Sequence, residues 1–173
     1  MNAISKLLML AAAITVGALE TARPALADDP DFLSLSVGSY DWNRQKDQGV
    51  EFRAEYRSDV KLGPFKPFAA VAGTSTGQYF AGGGVLIDVF FGRRFVLTPS
   101  FAPHVYTGGN SKLDLDYPLE FRSQLEAAYR FDDRSRLGLA VSHYSNASLG
   151  DTNPGTESAM LYYSVPFDKL FGE

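Results

Sequence analysis

The chain has 173 residues, 45% of them hydrophobic, with no cysteine, two histidines and a formal net charge of −4. That length sets one domain with a core large enough to fold without disulfides, and zero cysteine excludes a disulfide scaffold, a thiolate nucleophile and a cysteine zinc site. The mild acidity without any basic block argues against nucleic acid as a partner, and His104 with His143 are too few for a polyhistidine metal centre.

Residues 1–27 read as a cleavable signal peptide. Lys6 supplies the positive start, an apolar run from Leu7 to Leu19 follows, and Ala25-Leu26-Ala27 is a small-x-small cleavage site. The run is shorter than the roughly 20 apolar residues of a spanning helix. The mature domain is expected over residues 28–173.

From there the pattern has period two. Leu33, Leu35 and Val37 alternate with serines. In Val50-Glu51-Phe52-Arg53-Ala54-Glu55-Tyr56-Arg57 every even position is apolar and every odd one charged. Residues 65–74 are small and apolar, with Pro67 marking a strand start or bulge. Tyr79, Ala81, Val85, Ile87 and Val89 alternate around Gly82-Gly83-Gly84, which suggests a bend. Phe95, Leu97, Phe101 and Val105 share a parity. Leu119, Phe121, Leu125, Ala127, Tyr129 and Phe131 face one way, and Glu120, Arg122, Gln124, Glu126 and Arg130 the other. Leu137, Leu139 and Val141 form a seventh segment; Ala159, Leu161, Tyr163, Val165 and Phe167 form the eighth. Successive strand side chains point to opposite faces, whereas a helix would scatter these charges around its circumference. Eight such strands, joined by turn-rich connections, fit an all-β, eight-stranded antiparallel up-and-down barrel.

Periodicity alone leaves two barrels open. A soluble carrier puts its apolar face inside; an outer-membrane barrel turns it towards lipid. Export, strand lengths that match a tilted crossing, and aromatics at strand ends such as Phe52, Tyr56, Tyr129 and Phe167 favour the transmembrane barrel. Its interior then holds Glu51, Arg53, Glu55, Arg57, Glu120, Arg122, Glu126 and Arg130, both signs in equal number, paired across a narrow lumen. His104 falls on the lumen side, and Trp42 reads as an interfacial anchor.

The segment with chemical potential is Val141-Ser142-His143-Tyr144-Ser145-Asn146-Ala147-Ser148, followed by Asn153-Pro154-Gly155-Thr156-Glu157. His143 and Ser145 are two apart on one strand, so both emerge on the lipid face, and Glu157 opens the next strand with the same parity. A serine, a histidine to take its proton and a carboxylate to fix the imidazole compose an acyl-transfer site. Spacing alone leans towards a solvated strand rim.

This run resembles the PagL-type lipid A 3-O-deacylases of Gram-negative outer membranes. The motif matches across the last two strands and their loop, and the barrel pattern matches over the mature chain. The resemblance implies Ser145 as nucleophile, His143 as base and Glu157 as orienting acid on the barrel's outer wall. It implies lipid A of lipopolysaccharide as substrate, amid outer-membrane lipid, with the site facing the outer leaflet. The carboxamides of Asn146 and Asn153 and backbone amides near Gly155 are candidates for the oxyanion hole that such chemistry requires. No metal-ligand set is visible, so neither metal nor cofactor is expected, and a homodimer is compatible with the pattern. Arg44, Lys46 and Lys112 fall in outward loops, where they meet solvent or lipid phosphates. The competing function is a non-enzymatic OmpX-like structural or adhesive barrel, although the long outer loops expected of one are absent.

Overall fold

The computed structural model describes residues 29–171, so the expected signal peptide lies outside the described residues. Nine β-segments build eight barrel strands. They are β1 (Phe32–Tyr40), β2 (Gly49–Arg57), β3 (Lys66–Thr74), β4 (Gln78–Leu86), β5 (Val89–Phe91), β6 (Phe95–Gly108), β7 (Leu119–Arg130), β8 (Arg136–Ser145) and β9 (Thr156–Pro166). The segments β4 and β5 are two parts of one strand, interrupted at Ile87 and Asp88, and both pair with β6. Neighbours pair antiparallel throughout, and β1 closes the sheet on β9 in the register Leu35↔Tyr163 and Val37↔Leu161.

The two faces sort as the alternation requires. Outside, Leu139 is 67% exposed and Phe52 60%, within a belt of aliphatic and aromatic side chains around the wall. Inside, Glu51, Arg53, Glu55, Arg57, Glu120, Arg122 and Glu126 are all buried. Unpaired charges in such a lumen would cost several kcal/mol each; ion pairs offset this for all of them except Glu120, whose two carboxyl oxygens have no hydrogen-bond partner among the described residues, against the expectation of complete pairing. Arg57 Nη2 lies 2.8 Å from Glu55 and 2.7 Å from Glu126, and Arg122 Nη1 lies 2.7 Å from Glu55. Nearer the loop end, Tyr40, Phe80, Tyr106, Leu113, Leu115 and Tyr144 close the lumen with an apolar plug. Among the described residues no helix is long and apolar enough to cross a membrane. The crossing elements are strands, and the belt makes this a transmembrane barrel.

At Gly82-Gly83-Gly84, where the sequence suggests a bend, β4 keeps its pairing with β3 but has no rung to β6 at Gly83 and Gly84. These glycines also serve close approach: a Cβ would stand 2.2 Å from the Pro103 carbonyl oxygen at Gly82 and 2.0 Å from that of Phe101 at Gly84. One expectation about strand limits changes. The last strand stops at Pro166, and Phe167 opens a short helix, α1 (Phe167–Phe171). Phe32↔Pro166 is the final rung of the β1–β9 ladder, and one more backbone bond follows it, from the Phe167 N–H to the Asp31 carbonyl at 2.7 Å, as the chain turns into the helix. The helix is tied back by Lys169 to Asp133 at 2.9 Å and by an edge-on contact of Phe167 with Tyr56.

Candidate active site

Strand β8 carries Ser142 and Tyr144 into the lumen, so His143 and Ser145 between and beyond them emerge on the outer wall, partly exposed. The ladder then sets their neighbours. Ser123 of β7, His143 of β8 and Glu157 of β9 lie side by side in register. His143 Nδ1 and Glu157 Oε1 are 3.2 Å apart, the side chains being 43% and 17% exposed. An ionised carboxylate only accepts, so Nδ1 carries a proton, and in the neutral ring Nε2 is then the nitrogen free to accept one. That arrangement can hold an imidazole in one orientation with Nε2 turned away from the carboxylate. Ser145 ends β8 on the same face, paired with Phe121; among the described residues no hydrogen bond joins it to the ring.

The following loop is folded by Asn146, which is fully buried. Its Nδ2 donates to the carbonyls of Leu115 at 3.0 Å and Thr152 at 2.7 Å, and its Oδ1 accepts from the Ser148 N–H at 2.9 Å. Those bonds hold Ala147 and Ser148 in left-handed conformations, at φ 53° and 62°. The Asn146 carboxamide, a candidate oxyanion donor in the sequence, therefore has both donors engaged in clamping the loop. Asn153 accepts the Asn146 N–H through Oδ1 at 3.2 Å, which leaves its NH₂ group on an exposed residue. Gly155 is buried, with φ +58°, directly against the imidazole.

Outside the barrel two shallow grooves meet at Leu125 and Val141 and form one furrow. The upper part, about 560 Å³, is bounded by His143, Glu157, Ser123 and Trp42. The lower part, about 570 Å³, runs down the lipid face between Leu97, Leu139, Ala159 and Leu161. The small outward side chains of Ala127 and Ala159 leave this channel between their larger neighbours.

Residues 32–166 match the family model described as lipid A 3-O-deacylase (PagL). The chain belongs to the PagL family. A lipid A deacylase PagL of Pseudomonas aeruginosa is 36% identical over 53 residues; the match spans 31% of this chain and 31% of that relative's own length. The crystal structure of the outer membrane enzyme PagL superposes with a TM-score of 0.62 at 20% identity, covering 78% of this chain and 99% of that one. A de novo designed transmembrane β-barrel gives 0.53 at 14% identity, over 79% of this chain and 96% of the design.

In this PagL-family chain three residues outside the motif join the His143–Glu157 pair. Arg44 is bonded to Glu157, its Nε 3.2 Å from Oε1. Trp42 borders the furrow beside the His143–Glu157 pair. Ser123, which the motif does not include, lies directly across from His143. A signal for it exists: it is the polar break in the outward series Leu119, Phe121, Leu125, Ala127. Lys46 and Lys112 are exposed, and His104 is buried in the lumen with Nδ1 3.1 Å from the Ala102 carbonyl oxygen.

Proposed function

We propose that this chain is an outer-membrane hydrolase that removes the ester-linked acyl chain at the 3-position of lipid A. The observation that carries the reading is the His143–Glu157 hydrogen bond made on the outer wall, at the head of an apolar furrow. A polar pair facing hydrocarbon is unfavourable unless it is used, and an acyl chain lying in the furrow would bring its ester to that pair. The family match supports lipid A as substrate. The two longest connections, residues 109–118 and 146–155, lie at the same end as the site. Outer-membrane barrels turn their longer loops outwards, which favours a site facing the outer leaflet.

In the mechanism, Ser145 Oγ attacks the ester carbonyl as His143 Nε2 takes its proton, and Glu157 stabilises the imidazolium that forms. Collapse of the tetrahedral intermediate breaks the ester C–O bond. His143 returns the proton to the departing sugar hydroxyl, leaving an acyl-Ser145. Water, deprotonated by His143, then releases the fatty acid. The Asn153 NH₂ and the Gly155 N–H are the favoured oxyanion donors, because those of Asn146 are engaged elsewhere.

Mass spectrometry of lipid A from cells producing the wild type or Ser145→Ala at equal abundance tests this. Loss of one 3-hydroxyacyl chain with the wild type alone is the expected result. Unchanged lipid A in both, with detergent-solubilised wild type also inactive, refutes the hydrolase and returns the chain to a structural barrel.

A further inference from the structure

We propose that Arg44 is a fourth member of this site, a positioning residue that holds Glu157 and, through it, the His143 ring; this rests on the hydrolase reading above. By sequence Arg44 is one of several charges in the β1–β2 loop. The structure builds that loop around a buried aspartate. Asp41, at φ +51°, takes the N–H groups of Lys46 at 2.6 Å and Asp47 at 2.7 Å on Oδ2. Its Oδ1 accepts from the hydroxyl of Thr156, the residue preceding Glu157, at 3.3 Å. Asp47, also buried, accepts from Asn110 at 2.7 Å. The loop is therefore tied at both shoulders to the strands and loops of the site.

That loop delivers Arg44 Nε to within 3.2 Å of Glu157 Oε1, the same oxygen that bonds His143 Nδ1. Gly155 fills the notch between the imidazole and the guanidinium: a Cβ there would stand 3.1 Å from His143 Cε1 and 3.4 Å from an Arg44 Nη. The other carboxylate oxygen, Glu157 Oε2, is buried without a hydrogen-bond partner. A carboxylate so poorly hydrated needs more than one donor to stay fixed, and bonds from an ionised donor are the strong kind. Exposed arginine–carboxylate pairs ordinarily contribute little. This one acts on a largely buried carboxylate that is already bonded to the base.

Two effects follow, and they separate experimentally. The guanidinium fixes Glu157 and hence the direction of Nε2, which favours turnover. Its charge also opposes the imidazolium. The charged groups facing the ring are Glu157 from β9 and Arg44 beyond it, while β7 presents the uncharged Ser123. Removing the cation therefore leaves the Glu157 carboxylate as the charge nearest the ring. Lysine restores the charge but not the planar fork.

The test compares wild type, Ser145→Ala, Arg44→Gln and Arg44→Lys on lipid A in mixed detergent micelles, with folding checked by the mobility of unboiled barrel in gels. Arg44→Gln is expected to lower kcat by roughly tenfold to a hundredfold, the scale of a misplaced reacting group, with KM little changed. The acid limb of its kcat/KM profile moves to higher pH. Arg44→Lys is expected to lower kcat while leaving that limb in place. A higher KM with unchanged kcat and pH profile would mean that Arg44 only grips an anionic substrate, and overturns the proposal. Wild-type kcat and pH profile in folded Arg44→Gln overturn it as well. Should Arg44→Gln fail to fold, wild-type kcat in Arg44→Lys overturns it, and a lowered kcat with the limb in place supports it. No turnover by wild type sinks the hydrolase reading and this proposal together; turnover by wild type with both Arg44 variants unaffected sinks the proposal alone.

Discussion

Replacing Gly155 with alanine adds one methyl group where φ is +58° and where its carbon would stand 3.1 Å from His143 Cε1 and 3.1 Å from the Tyr144 carbonyl oxygen. The left-handed backbone alone costs an alanine about 1–2 kcal/mol. The contacts are tighter than the roughly 3.5–4 Å of ordinary carbon contact, so a neighbour must yield by a few tenths of an ångström. Tyr144 belongs to the β8–β9 ladder, whereas the imidazole is partly exposed, so the ring moves and its bond to Glu157 weakens. A displacement of about 1 Å costs about a hundredfold in rate; a third of that, scaled on the same logarithm, is expected to cost about fivefold. Gly92→Ala is the internal control, since Gly92 has φ +66° and nothing within 4 Å of its absent Cβ. Both variants should lose about 1–2 kcal/mol in urea unfolding, followed through Trp42, the sole tryptophan. Only Gly155→Ala should lose acyl-release activity. Equal kcat in the two variants would refute the claim that Gly155 spaces the ring.

Glu157→Gln keeps the shape of the orienting group but removes its charge; kcat is expected to fall by about 10³–10⁴, as for the acid of other serine–histidine–acid sites, and a loss below tenfold in steady-state assays would remove Glu157 from that role. Arg57→Met deprives Glu126 of its ion-pair partner in the lumen, with an expected loss of about 3–5 kcal/mol; an unmoved urea midpoint would contradict the packed-lumen account. At the opposite end, hydrogen bonds from Lys169 and Ser135 hold the Asp133 carboxyl down at about 2, against an ordinary 3.8. The helix tether is thus complete above pH 3.8 and fades as the pH falls towards about 2. In Lys169→Met the Asp133 carboxyl should titrate closer to 3.8 by carbon NMR, and an unchanged titration would rule the tether out.

The barrel was legible because residues 50–57 and 119–131 carry opposite chemistry on alternate positions, and a membrane barrel with a filled lumen has a use for both faces. Parity also put His143, Ser145 and Glu157 on one face, since antiparallel pairing conserves the face, but the register that sets Glu157 opposite His143 rather than Ser145 comes from the ladder. Parity could not find Arg44, whose place depends on how Asp41 folds a loop contributed by the other end of the chain. Nor could it show that Asn146 is a clamp, because its carbonyl partner on Leu115 lies 31 residues away. The break at Ile87 and Asp88 was hidden for a similar reason. Asp88 turns to Lys66, Thr98 and Arg136, partners on three other strands.

His143 and Ser145 open sideways through the wall, while the lumen behind them is closed by its own side chains. For the proposed hydrolysis, lipid substrate and enzyme therefore meet in two dimensions. The quantity that governs saturation is the mole fraction of substrate among neighbouring lipids, not its concentration in the bulk. For that proposed reaction water becomes the reactant in short supply, because the furrow that would hold the acyl chain is lined mainly by apolar side chains.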